Sequence, residues 1–264
     1  MEQLKTLRER TGAGMVECKK ALEEAGGDLE KAIEILRKKG IAKAAKRGDR
    51  EAKEGIIKVD VNADNTEGYI LEVNSETDFV ARNEKFQSLV DQIFLVIKNN
   101  KPADLSALMG LVMENGTVQE NLDNLSGTIG EKLGIKSFAI LSGATVAAYS
   151  HLGGKIGVLV ALSQADKKDL AVDIAMQVAA SNPRYLTPAE VPAEELDKEK
   201  AIYREQLLKE GKPENMLDKI AEGKVNKYYS EVCLTKQEFI KDEKQTIEKI
   251  LGDIQVDKFV RYSL

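Results

Sequence analysis

Histidine and cysteine are almost missing from this chain of 264 residues. One histidine, His151, cannot build a His-based metal cluster, and a catalytic triad would need its geometry from elsewhere. The two cysteines, Cys18 and Cys233, stand far apart with no CxxC spacing. That argues against a disulfide framework or a zinc site and makes a reducing cytoplasm the simplest home. No apolar run reaches the roughly 18 residues of a membrane span. The opening MEQLKTLRER is charged from its second residue and has no apolar signal-peptide core. Phosphate-binding motifs are missing too. No GxGxxG follows a strand-like run, and HLGGKIG lacks the leading glycine of a GxxxxGK(S/T) loop and carries Ile156 where a magnesium-binding hydroxyl belongs. It reads as a glycine hairpin turn. Carboxylates are plentiful but scattered over helical surfaces, so no enzyme active site emerges and no cofactor or metal is expected.

What is present fits a globular protein of one to three domains: 42% of residues are hydrophobic and 31% charged. The net charge of −5 argues against a general nucleic-acid binder, whose affinity comes from neutralising phosphates. Residues 31–58 run against that balance, with ten Lys or Arg and four Asp or Glu. They read either as a solvated helix end and linker or as a contact for RNA or an acidic partner.

The periodicity predicts an α+β chain. The first forty residues give three short helices, broken at TGAG and GGD, with Met15, Cys18, Leu22 and Ala25 on one stripe of the second and Asp28 as N-cap of the third. Val16 lies off that stripe and is a candidate partner contact. Residues 41–54 form a helical or flexible linker. IIKVDVN and YILEVN then read as an antiparallel strand pair. A strong helix follows, capped by Asn83 and carrying Phe86, Leu89, Val90, Ile93, Phe94 and Ile97 on one face. Weaker helices are expected over 104–114 and 117–133, then a strand in KSFAILSG. A second hairpin, ATVAAYS to IGVLVALS, leads into a helix from Lys167.

Strand, turn, strand and helix thus occur twice. The later copy crosses from strand to helix with SQAD, whereas the earlier spends NSETDFVARN, six residues more. An elaborated connection in a compact domain often carries function. Phe79, in the middle of it, has two readings. It tucks under the loop with Val80 as a staple, or it stands at the tip and enters a pocket on another protein, with Asp78 placing a negative charge beside it. Spacing alone does not separate them. From 193 to 229 a charged helical hairpin is inserted, turning at GKPE and pairing Leu196, Tyr203 and Leu207 with Leu217, Ile220, Val225 and Tyr228. QEFI, QTIEKILG and DKFVRYSL return to the core as strand, helix and strand. The expected units are 1–54, a three-helix module and linker; 55–136 and 137–192 with 230–264, two related antiparallel-sheet-plus-helix subdomains; and 193–229, a coiled-coil hairpin.

LRERTGAGMVECKKAL, LEVNSETDFVARN, GGKIGVLVAL, IAMQVAAS and LTKQEFI, in this order over nearly the full length, resemble blocks of the bacterial elongation factor Ts family. The resemblance implies a ubiquitin-associated-like N-terminal module and a guanine nucleotide exchange factor for elongation factor Tu, with no bond chemistry of its own. In that family Thr77, Asp78, Phe79 and Val80 would displace the GTPase's magnesium, the aromatic ring wedging beside the nucleotide site. Positions matching Arg8, Met15 and Val16 would grip a helix of the GTPase domain, and the hairpin around His151 would meet the same partner. No direct contact with nucleic acid or membrane is expected. Many members continue beyond FVRYSL into a helical extension, so the contacts expected here exclude that extension. The sequence leaves monomer and homodimer open, with the helical hairpin and the second subdomain as candidate self-association surfaces.

Overall fold

The computed structural model describes residues 2–45, 47–211 and 213–264; Lys212, in the expected GKPE turn, lies outside the described residues. Three helices come first: α1 (Glu2–Thr11), α2 (Met15–Glu24) and α3 (Leu29–Ala45). Asp28 caps the third, its Oδ1 accepting the Lys31 N–H at 3.1 Å. Leu7, Cys18, Ala21 and Ala32 make the small core. Met15, expected on the buried stripe, is instead 49% exposed. It opens α2 outside the apolar cluster, and Ala21 fills the contact between helices. The helix α3 runs on to Ala45, so the first part of the expected linker is helical.

The core begins with β1 (Glu54–Val61), β2 (Glu67–Ser75), the single turn α4 (Asp78–Ala81) and α5 (Glu84–Asn100). Next come α6 (Leu105–Gly110), a two-residue hairpin of β3 (Val112–Met113) and β4 (Gly116–Thr117), α7 (Val118–Ile129) and β5 (Leu133–Ser142). The second half holds β6 (Thr145–His151), β7 (Ile156–Leu162) and α8 (Lys168–Ser181). After the helical hairpin α9 (Ala193–Lys209) and α10 (Glu214–Val232), the chain closes with β8 (Glu238–Phe239), β9 (Asp242–Thr246), α11 (Ile247–Leu251) and β10 (Val256–Ser263).

Among the described residues two three-stranded antiparallel sheets form, ordered β1-β2-β5 and β6-β7-β10. Each is a hairpin with a third strand returning beside its second strand, so the repeat read from the sequence extends by one strand. The expected 136/137 boundary falls inside β5, which pairs with β2 from Leu133 opposite Ser75 to Ser142 opposite Glu67. Ile135, Phe138 and Ile140 of that strand pack with α5 and α7 rather than with the second half.

The layers run helix, sheet, sheet, helix. Alternation along the strands makes this arrangement possible. Tyr69, Leu71 and Val73 of β2 face Phe86, Val90, Ile93 and Ile97 of α5. Ile57, Ile70 and Leu141 on the opposite side meet Val146, Leu159 and Ala161 of the other sheet. Val158, Val160 and Leu162 of β7 then cover Ile174, Ala175 and Val178 of α8. The central strands are therefore largely apolar on both faces, with Glu72 and Asn74 of β2 among the buried polar exceptions. β1 is not: its Lys58 pairs with Asp91 and its Asp60 with Lys98 of α5, the latter at 2.6 Å. Two glycines let the sheets close. A Cβ on Gly157 would lie on Ile57 Cγ2 and 2.8 Å from Val59 Cγ1, and one on Gly68 would sit 2.7 Å from Val146 Cγ1.

The N-terminal module docks through α3 onto α7. Gly127 approaches Gly40 so closely that a Cβ on Gly127 would fall 2.6 Å from the Gly40 Cα. Arg37 pairs with Glu120, and Arg47 Nη1 donates to the Ser126 carbonyl at 2.9 Å. The helical hairpin buries Leu207, Leu217, Val225 and Tyr228. At its root Glu195 accepts from the Tyr185 hydroxyl at 2.7 Å, from the Tyr228 hydroxyl, and pairs with Arg184 at 2.9 Å. Burial first, and then the Glu195 carboxylate, push the Tyr228 hydroxyl up to about 12.

The contact between sheets yields a test. Gly157→Val must push apart two packed faces, so it should destabilise the fold by about 1–3 kcal/mol, the usual cost of overpacking. Urea unfolding of the purified variant measures this, and an unchanged midpoint would show that the sheets do not close on Gly157.

Candidate functional site

Between β2 and α5 the backbone makes one extra helical turn. Residues 76–83 span this connection and 163–167 span its counterpart between β7 and α8, an excess of three residues rather than six. The difference from the sequence count arises because β2 continues to Ser75, which shortens the earlier connection by two, and α8 starts at Lys168, which lengthens the later one by one. Thr77 caps the turn from extended backbone, φ −127° and ψ 156°, with its hydroxyl accepting the Val80 N–H at 3.4 Å. Successive helical residues point about 100° apart, and here that rotation divides two neighbours. Val80 is only 7% exposed and joins the cluster beneath α5, whereas Phe79 is 82% exposed. The turn therefore divides the pair: Val80 is tucked in as a staple, and Phe79 is not.

Asp78 is not an open charge. Its carboxylate pairs with Arg82 one turn on, at 2.9 Å. Thr77 is held from across the molecule, its backbone N–H donating to Glu131 Oε2 at 3.0 Å and its hydroxyl to Oε1 at 2.7 Å. The favour is returned one residue along each segment: the Lys132 N–H donates to Glu76 Oε1 at 2.6 Å, and Arg50 adds a contact at 3.2 Å. The Lys132 N–H above all, with help from Arg50, holds the Glu76 carboxyl below its ordinary value. Sequence reasoning missed Glu76, Glu131 and Lys132, since the two segments lie 54 residues apart or more and share no local pattern.

The remaining sequence candidates lie on other elements. Arg8 is exposed on α1, and Val16, 66% exposed, follows Met15 in the first turn of α2. His151 ends β6, its Nδ1 3.0 Å from the Tyr149 hydroxyl and its ring stacked on that tyrosine at 5.8 Å. Leu152 beside it adopts a left-handed φ of 51° and exposes its side chain, a second solvent-facing apolar group that the pattern did not flag. The same tip binds the two sheets together, because the Ile57 N–H donates to the Gly154 carbonyl at 2.7 Å. Arg8, Met15 and Val16 thus sit on the N-terminal module, apart in the chain from both the Phe79 turn and the His151 hairpin. The basic run from 31 to 58 is largely occupied within the chain: Lys39 pairs with Glu24, Lys38 with Glu34, Arg37 with Glu120 and Arg50 with Glu76.

A family model described as elongation factor TS matches residues 76–264. A protein named elongation factor Ts from Prosthecochloris aestuarii (strain DSM 271 / SK 413) is 44% identical over 280 aligned positions, covering 100% of this chain and 97% of the relative. Another of that name, from a Nitratiruptor species, is 46% identical, covering 99% and 92% respectively. The chain belongs to the elongation factor Ts family. That makes it a translation elongation factor, a protein of the protein-biosynthesis machinery. The elongation factor Ts match starts at Glu76, the residue that opens the loop carrying Phe79. The mixed helix-and-sheet architecture agrees with the expected α+β class, and no helix among the described residues is long and apolar enough to cross a membrane.

The division between Phe79 and Val80 predicts opposite stability effects. Phe79→Ala should leave the unfolding free energy within about 0.5 kcal/mol of the parent, as for most surface changes. Val80→Ala should cost about 1–3 kcal/mol from lost burial and the cavity left behind. Equal losses in urea melts would mean the ring is part of the core.

Glu76 predicts a pH effect whose sign is fixed by its lowered pKa. The ionised form is favoured by folding, so its stabilisation is full above the ordinary carboxylate value of 4.5 and is lost as the pH falls through the depressed one. The Lys132 amide proton should titrate in NMR with a midpoint below 4.5. A midpoint at or above that value would show that the Glu76 contact is not made in solution.

Proposed function

We infer that this protein is a guanine nucleotide exchange factor for elongation factor Tu, and that the turn Thr77–Val80 is the element that displaces the GTPase's magnesium ion. The observation that carries this reading is a benzyl group left 82% exposed on a turn that is otherwise capped, clamped and stapled. Exposed apolar residues are common singly, but here the backbone is fixed on both sides of the ring. A rigid carrier with an outward apolar tip suits insertion into a partner.

The chemistry asked of the site is modest. Magnesium holds a nucleotide diphosphate through near-ideal octahedral coordination that includes waters, and it tolerates distortion poorly. Moving one coordinating loop of the GTPase loosens ion and nucleotide together. Phe79 supplies the wedge, and burying one such side chain stabilises a complex by roughly 1.5–3 kcal/mol. Asp78 acts beside it once its contact with Arg82 opens, carrying negative charge towards the metal's position. Thr77 and Val80 hold the turn. Arg8, Met15 and Val16 form a second grip from the N-terminal module, where an apolar pair and a cation suit one face of an amphipathic helix. The hairpin tip with His151 and Leu152 is a third contact. The protein works in the cytoplasm and breaks no covalent bond.

Exchange is then a matter of linkage. The factor binds the nucleotide-free GTPase more tightly than the GDP form, and nucleotide must weaken the factor by the same ratio. Each tenfold weakening of GDP costs about 1.4 kcal/mol of that differential binding. The test is release of fluorescent GDP from elongation factor Tu. The protein should accelerate it strongly, Phe79→Ala should lose roughly 10–100-fold of that acceleration, and Asp78→Ala should lose less. Unchanged release in Phe79→Ala, with the fold intact, would refute the wedge.

A further inference from the structure

The bidentate contact between Glu131 and Thr77 is more than a brace. Thr77 Oγ1 donates to Glu131 Oε1 at 2.7 Å and accepts from the Val80 N–H at 3.4 Å. A hydroxyl has one proton and two lone pairs, so giving the proton to the carboxylate leaves a lone pair to cap the turn. The second oxygen takes the Thr77 N–H at 3.0 Å. One carboxylate thus fixes both the position of the cap residue and the rotation of its hydroxyl. A four-residue helix has no stability of its own, since nucleation is unfavourable. What holds Phe79 outward is therefore the cap together with the buried Val80, and what holds the cap is Glu131.

Glu131 is itself anchored. Its carbonyl accepts from Ser126 Oγ at 2.6 Å, and Ser126 is buried at the end of α7. The neighbouring Lys132 reaches back to the linker, its Nζ donating to the carbonyls of Gly48 at 2.7 Å and Arg50 at 2.8 Å. Three stretches of chain, 47–50, 76–77 and 126–132, close on one another behind the turn.

We propose that Glu131 is a positioning residue for the exchange contact: its carboxylate presets the geometry from which Phe79 enters the GTPase. The proposal rests on the exchange-factor reading given above. It predicts that losing the carboxylate reduces the rate at saturating protein more than it changes the half-saturating concentration, because the other contact surfaces remain.

The experiment uses the full chain with elongation factor Tu and fluorescent GDP, and a second readout that needs no partner. The chain has no tryptophan, so Phe79→Trp places the only indole in the loop, where its anisotropy reports how firmly the turn is held. Glu131→Ala should lower the maximal release rate about tenfold, the worth of a lost hydrogen bond to a charged group. In the Phe79→Trp background it should also lower the indole anisotropy, with little change in melting temperature. Glu131→Gln keeps an acceptor for the Thr77 N–H and a polar partner for its hydroxyl, so it should recover most of both. The proposal is overturned if Glu131→Ala releases GDP as the parent does while Phe79→Ala is impaired, or if the anisotropy stays unchanged. It is overturned too if Glu131→Gln is as damaged as Glu131→Ala and melts early, since that marks a merely structural group. Should Phe79→Ala itself release GDP normally, the wedge reading fails, and the anisotropy of the isolated chain decides the clasp alone. If Glu131→Ala does not fold, Glu131→Asp, which keeps the charge but draws the carboxylate back by one methylene from both Thr77 groups and leaves the Thr77 cap in place, supplies the same two readouts.

Discussion

Two residues without side chains set the spacing on which this molecule depends. At Gly68 and Gly157 the sheets approach until a single added carbon would meet Val146 on one side and Ile57 and Val59 on the other. Closed at that distance, Ile57, Ile70, Leu141, Val146, Leu159 and Ala161 form a buried apolar layer shared by both halves. Neither half is then free to turn against its neighbour, because interiors at this density resist continuous deformation. The hairpin tip with His151 and the turn with Phe79 are held on one rigid frame, joined again where Gly154 accepts the Ile57 N–H at 2.7 Å.

On that frame the functional turn shows how a protein keeps an apolar group in water. Such a ring gains by folding back onto the body. Here the backbone on either side of the ring is held in place. Val80 is buried, Thr77 is pinned by Glu131, Glu76 is tied to the Lys132 backbone, and Asp78 is paired with Arg82. The sequence arranges this with polar residues of no unusual type. Their effect comes from meeting across the fold, and the exposed ring is the residue they leave over.

Much of this was legible beforehand, and the reason is periodicity. The six apolar positions of α5 are all buried, Asn83 caps it by accepting the Lys85 N–H at 2.9 Å, and both sheet hairpins lie where alternation puts them. Comparing the two copies drew attention to the loop of Phe79, although it overstated the excess. What escaped had no local signal. Two-residue strands such as β3, β4 and β8 are too short to show a period. Met15 obeys the spacing of a buried stripe but stands half exposed at the start of α2. The allegiance of β5 is decided by its pairing with β2, not by its own composition. Glu131 looks like any surface glutamate until the chain brings Thr77 to it.

The root of the helical hairpin sets the aim of an arm. Its first helix has 17 residues, about 25 Å of nearly straight rod at 1.5 Å per residue. The cluster of Arg184, Tyr185, Glu195 and Tyr228 sits at the pivot end, so small rotations there are magnified outward. A tilt of about ten degrees at the pivot sweeps the far end through roughly 4 Å on that length. That polar cluster, with the apolar contacts of Val191, Val232 and Cys233 beside it, thus bears on where the far end of the rod lies, as a bracket bears on a spar.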